Sequence, residues 1–139
     1  MNLDKEKLKN LDKLPPDIKR QFALYMNQWK EKKKESQIAT NFMDFVKHVW
    51  PDFIEGSHHK IVADKFNKLA SGKIKRLIIN MPPRHTKSEF ASFLLPAWMV
   101  GKNPKLKIIQ STNTTELSVR FGRKAKQLMD SVEYKQVFK

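Results

Sequence analysis

Residues 75–88 read KRLIINMPPRHTKS, and the fold expected for this chain turns on them. The first half, 75–80, is a short apolar, β-branched run of the kind that forms a buried parallel strand. The second half is a loop that ends in Lys87-Ser88, at the head of a helix expected over 87–101. That helix is apolar nearly all round, hence buried, with Pro96 kinking or restarting it. Asn103-Pro104 makes a turn, and 106–110 (LKIIQ) reads as a second strand. Asn113-Thr114-Thr115-Glu116 resembles a capping box that opens a helix to about Asp130. Strand, loop, helix, strand, helix is the opening of an α/β parallel sheet.

Upstream of residue 73 the pattern is helical. Leu3, Leu8, Leu11 and Leu14 form a loose apolar face before Pro15-Pro16. Pro16 suits the first position of a helix, along which Ile18, Phe22, Tyr25 and Trp29 recur at helical spacing. This helix is expected to run to about Glu35 and to end in the charged, solvated stretch KEKKKE at 30–35. A short helix after Asn41 places Phe42, Phe45, Val46 and Val49 on one side and stops at Pro51. Ser57 caps a further helix over 58–70, with Ile61, Val62, Phe66 and Leu69 inward and Gly72 just past its end. The expected architecture is an incomplete P-loop NTPase-type α/β sheet. Residues 1–50 are its helical lead-in, and 51–139 are the N-terminal part of the sheet domain.

Composition narrows the function. The 139 residues are one domain's worth of chain, and nine Phe with three Trp are too many for a disordered tail. The longest apolar run, 90–100, contains Ser92 and Pro96 and falls short of the roughly 20 residues that span a membrane. No apolar leader follows the N-terminus. The absence of cysteine removes disulfides, Cys-based zinc sites and thiol nucleophiles. The formal net charge is +14, most of it in residues 73–139, which hold 14 basic and 4 acidic side chains. Such a field favours polyanions, nucleic acid or nucleotide phosphates among them.

The loop Met81-Pro82-Pro83-Arg84-His85-Thr86-Lys87-Ser88 has the order of a phosphate-binding P-loop, which is strand, loop, Lys-Ser/Thr, helix. There, loop and helix N–H groups converge on a phosphate, the Lys neutralises β- and γ-phosphates, and the hydroxyl is a magnesium ligand. Met81 and Thr86 stand where the usual motif has glycine. An ordinary αβ connection is the other reading of the same residues. The adjacent His58 and His59 point about 100° apart on a helix, a poor geometry for one metal ion, and read as solvated side chains at a helix start.

Together, several segments resemble the N-terminal ATPase region of the large terminase subunit of tailed bacteriophages. They are GSHHK (56–60), IKRLIINMPPRHTKSE (74–89), PAW (96–98), GKNP (101–104) and RFGR (120–123). The resemblance covers about two-thirds of the chain. It implies ATP and Mg2+ as cofactors, a loop role for Pro83, Arg84, His85 and Thr86, and phosphate binding by Lys87. It also implies a magnesium ligand at Ser88, an Arg84 acting in cis on the γ-phosphate, and adenine contacts near His58-His59. The complete protein would couple ATP hydrolysis to moving double-stranded DNA into a procapsid and would cut DNA with a C-terminal nuclease. Its implied partners are DNA, a small terminase subunit and the portal, in an oligomeric ring in the host cytoplasm with no membrane.

The acidic strand end that such an ATPase needs for magnesium and water has no match among Glu89, Glu116, Asp130 and Glu133. The chain therefore reads as a fragment that binds ATP without hydrolysing it. On the helix after Asn113, Arg120, Arg123, Lys124 and Gln127 share one arc. Leu117, Phe121, Ala125, Leu128 and Val132 share the next. The basic arc reads either as a solvated face or as a contact to DNA phosphates. Two other functions fit the composition: a non-catalytic basic α/β nucleic-acid-binding module and a helicase-type ATPase fragment.

Overall fold

A computed structural model describes residues 15–138, so the Leu3–Leu8–Leu11–Leu14 face lies outside the described residues. Every regular element among them is helical. These are α1 (Pro16–Thr40), α2 (Phe42–Val49), α3 (Ser57–Ala70), α4 (Lys87–Glu89), a π-helical segment (Phe90–Leu94), α5 (Leu95–Lys102), α6 (Thr115–Asp130) and α7 (Val132–Val137). The α/β expectation is therefore overturned: no strand and no sheet occur among the described residues. The reason is the lack of a pairing partner. A strand is defined by its ladder, and no backbone hydrogen bond joins 75–80 to 106–110. Both segments instead run as irregular chain, with Ile78 87% and Ile109 97% exposed.

The chain forms two compact units, Met1–Lys34 and Glu35–Lys139, and α1 contributes to both. In the first, the described residues are helical from Pro16 onward, and Ile18, Tyr25 and Trp29 stand exposed. The helix continues through KEKKKE rather than ending there, because Lys and Glu are good helix formers. It stops at Asn41, whose extended backbone (φ −113°, ψ 124°) breaks the helical path. The Asn41 side chain then caps α2, accepting the N–H groups of Met43 and Asp44 at 2.9 and 3.3 Å.

The second unit is built around α2. Phe42, Phe45 and Val46 are fully buried on the side read from the sequence, so the short helix is a core element. The Phe42 ring meets Phe66 of α3, Phe90 and Trp98 of α5 edge-on, at centroid distances of 5.1, 5.5 and 5.4 Å. Trp98 is also fully buried, and its indole N–H donates to the Ala39 carbonyl at 3.1 Å. On α7 the Tyr134 hydroxyl donates to the Ala97 carbonyl at 2.8 Å, closing the core from the C-terminal side.

Two local features position the loop. After α3, Gly72 takes φ +73°. Its N–H and that of Lys73 return to the carbonyls of Leu69 and Lys68, a C-cap that turns the chain toward residues 75–80. In the long helical stretch after the loop, the Leu95 N–H bonds the Phe90 carbonyl five residues back. Pro96 lacks an N–H and its ring crowds the preceding turn, so a widened π turn is the economical way past it. The chain stays helical through this point, and the α-helical form resumes at Leu95 with Pro96 in its first turn.

Candidate functional site

The loop before α4 departs from ordinary backbone at two places. Arg84 (φ 66°) and Thr86 (φ 59°, ψ 8°) both lie in the left-handed region, which a branched side chain such as that of Thr86 disfavours. Left-handed residues that alternate with right-handed ones can turn successive N–H groups toward one anion. Among the described residues, no backbone carbonyl accepts the N–H groups of Arg84, His85, Thr86, Lys87 or Ser88. The first closed turn is Phe90 N–H to Thr86 carbonyl, at 2.9 Å.

In this loop Pro83, Arg84, His85, Lys87 and Ser88 are exposed, and only Thr86 is partly covered. The structure thus gathers the six predicted loop residues on one short turn, with Lys87 and Ser88 at the first two helical positions. His85 is not without a partner, since its Nδ1 donates to the Pro83 carbonyl at 2.9 Å. That contact closes the loop tip on itself.

His59 differs from its expectation as a solvated residue. It is 6% exposed and packs against Phe53 and Phe90, which also touch each other, with ring centroids 4.8 and 5.1 Å away. Its Nδ1 accepts the Gly56 N–H at 2.9 Å, and its Nε2 lies 2.7 Å from the Thr86 hydroxyl. Burial, reinforced by the neighbouring His58, pushes the His59 imidazole below its ordinary range. Sequence spacing could not reveal this contact, which joins residues 27 positions apart. His58, by contrast, lines a cavity of about 300 Å³ with Ile61, Val62, Leu77, Ile79 and Met81.

The basic arc on α6 is divided. Arg120 and Arg123 are exposed and line, with Lys124 and Gln127, an open groove of about 480 Å³. Lys124 differs in being paired: its ammonium lies 2.9 Å from both carboxylate oxygens of Glu89 on α4. Of the neighbouring apolar arc only Phe121 is buried, while Leu117 and Val132 are 38% and 68% exposed. The cap of α6 is Thr114, not the box begun by Asn113. The Thr114 hydroxyl accepts the Leu117 N–H at 3.3 Å, which leaves Glu116 out of the cap.

Among the described residues, no three His, Asp or Glu side chains gather to hold a metal ion. A magnesium ion fits here only as Mg2+ usually binds nucleotides, carried mainly by the phosphates with one protein oxygen, from Ser88. No helix among the described residues is long and apolar enough to cross a membrane. No protein-family model, curated protein or solved structure matches this chain.

Proposed function

We propose that the loop 81–88 binds nucleotide phosphates and that the chain is the ATP-binding part of a phage DNA-packaging motor of the large-terminase type. The observation that carries this reading is the pair of left-handed residues, Arg84 and Thr86, set directly before Lys87-Ser88. Phosphate recognition needs converging N–H groups and a cation, and neither requirement depends on a strand ladder beneath the loop.

In this reading the N–H groups of residues 84–88 cradle a phosphate and Lys87 neutralises β- and γ-oxygens. Ser88 holds the Mg2+ that neutralises charge on the same phosphates. Arg84, exposed and without an ion pair among the described residues, reaches the γ-phosphate. The base would enter the cavity beside His58 rather than contact His59, whose two ring nitrogens are already bonded. The chain alone binds ATP without turning it over, because Glu89, the carboxylate nearest the loop in sequence, is held by Lys124. Arg120 and Arg123 supply sequence-independent DNA contacts, with the small subunit and portal as partners of the complete motor.

Paired titrations on the intact chain test both halves. Lys87→Ala is expected to abolish Mg–ATP binding in calorimetry and to leave duplex affinity intact. Arg120→Gln with Arg123→Gln is expected to do the reverse, flattening the salt dependence of duplex binding by about 0.9 for each DNA phosphate no longer neutralised. Unchanged ATP affinity in Lys87→Ala sinks the nucleotide site, and an unchanged salt slope returns α6 to a solvated face.

A further inference from the structure

We propose that His59 is the positioning residue that holds the loop in its left-handed conformation, doing through a hydrogen-bonded relay what a glycine in place of Thr86 would do without help. The inference rests on the phosphate-binding reading of the loop and names the device that shapes it.

The relay accounts for every hydrogen. A backbone N–H can only donate, so the 2.9 Å contact from Gly56 makes His59 Nδ1 the acceptor and places the ring proton on Nε2. Nε2–H therefore donates to the Thr86 hydroxyl at 2.7 Å. The hydroxyl in turn donates its own hydrogen to the His85 carbonyl, also at 2.7 Å. Thr86 is thereby gripped from both sides at the residue where its backbone is least comfortable. A non-glycine residue held in this region is disfavoured and persists only where its surroundings over-determine it. Here the surroundings are identifiable. The His59 ring is buried and packs against the touching pair Phe53 and Phe90, and the latter sits on the π turn that the loop feeds.

The relay works only with a neutral imidazole, because a second proton on Nδ1 would face the Gly56 N–H. The groups that bear on that proton come from three sides. Glu55 precedes α3 and favours protonation; His58 on α3 and His85 on the loop oppose it. Lys87 lines, with His59, His85 and Thr86, the narrow crevice under the loop. Glu55 is itself occupied by Lys47, 2.7 Å away, which ties α2 to the turn that presents Gly56.

A double-mutant cycle tests the proposal with Mg–ATP as the probe. His59→Phe, which keeps an aromatic ring against Phe53 and Phe90 and deletes both bonds, is expected to weaken Mg–ATP binding about tenfold. Thr86→Gly removes the need for the relay, so adding His59→Phe to that variant is expected to change affinity less than twofold. Thr86→Ser, which keeps the hydroxyl, should bind as wild type does. Thr86→Val, which loses only the hydroxyl, should weaken binding as His59→Phe does, and it serves as the second arm should His59→Phe not fold. If His59→Phe weakens binding equally in the wild type and in the Thr86→Gly variant, the proposal is overturned, because His59 would then act on the fold at large. If the wild type binds no Mg–ATP, the nucleotide reading falls, and the relay is read from the Thr86 backbone carbon chemical shifts without nucleotide. Left-handed shifts in wild type that disappear in Thr86→Val support the relay; identical shifts in both overturn it.

Discussion

The aromatic core around α2 and the two apolar segments 75–80 and 106–110 are built from similar material and end in opposite states. Both are runs of large apolar side chains. In α2, Phe42, Phe45 and Val46 share one face because a helix returns side chains to the same side every three or four residues. One neighbouring helix then suffices to begin covering them, and α3 and α5 complete the cover. In 75–80, successive side chains have no common face. Leu77 and Ile79 reach partial burial, while Ile78 between them is exposed. Covering an extended segment requires neighbours on both edges and both faces, and none of the described elements supplies them. Hydrophobicity alone thus does not make a core; the geometry that collects it does.

This contrast can be broken at its strong end first. Phe42→Ala removes a fully buried ring that meets three aromatic neighbours edge-on. It is expected to cost about 3–5 kcal/mol in chemical denaturation, a large part of a small domain's whole stability. A loss below about 1 kcal/mol would mean that α2 is not the centre of the core.

His59 packs against Phe53 and Phe90, and pH probes it. Its imidazole is pushed down by burial in the folded chain, while the unfolded chain has the ordinary value of about 6.5. As pH falls below about 6.5 the unfolded state takes up a proton that the folded state resists, so stability is full above that pH and declines below it. Thermal denaturation between about pH 7.5 and 5 should show the decline, with a shallower slope in His59→Phe. Identical slopes would place the pH dependence on another group.

The weak end of the contrast predicts almost nothing. Ile78→Thr and Ile109→Thr, at side chains 87% and 97% exposed, are expected to move stability by no more than about 0.5 kcal/mol each. A loss of about 2 kcal/mol or more at either residue would show that the segment is covered in solution, and the comparison would collapse.

Much of the helical layer was legible in the residues. The helix start after Asn41, the Phe42–Val49 face, the helix ending at Ala70 and the turn at Gly72 depend on chemistry within a few residues of each signal. So does the loop, whose Lys87-Ser88 stands at a helix start as its order implies. The strands were not legible in the same sense. Both segments are apolar and β-branched, but a strand is a relation between two segments, and composition reports only one. The α6 stripe failed for a similar reason. Spacing puts Lys124 with Arg120 and Arg123, and only the folded structure, which brings α6 beside the helical stretch after the loop, shows that Glu89 has taken it.

What this chain's sequence determined by itself was local: helix starts and stops, the basic charge and the order of residues in the loop. These follow from backbone preferences and side-chain chemistry acting over one or two turns. The tertiary structure alone decided which apolar runs were buried, how the π turn accommodates Pro96, and that His59 meets Thr86 across 27 residues. Burial and hydrogen-bond partnership are properties of pairs brought together in space, and their free energy exists only once the intervening chain has folded to make them neighbours.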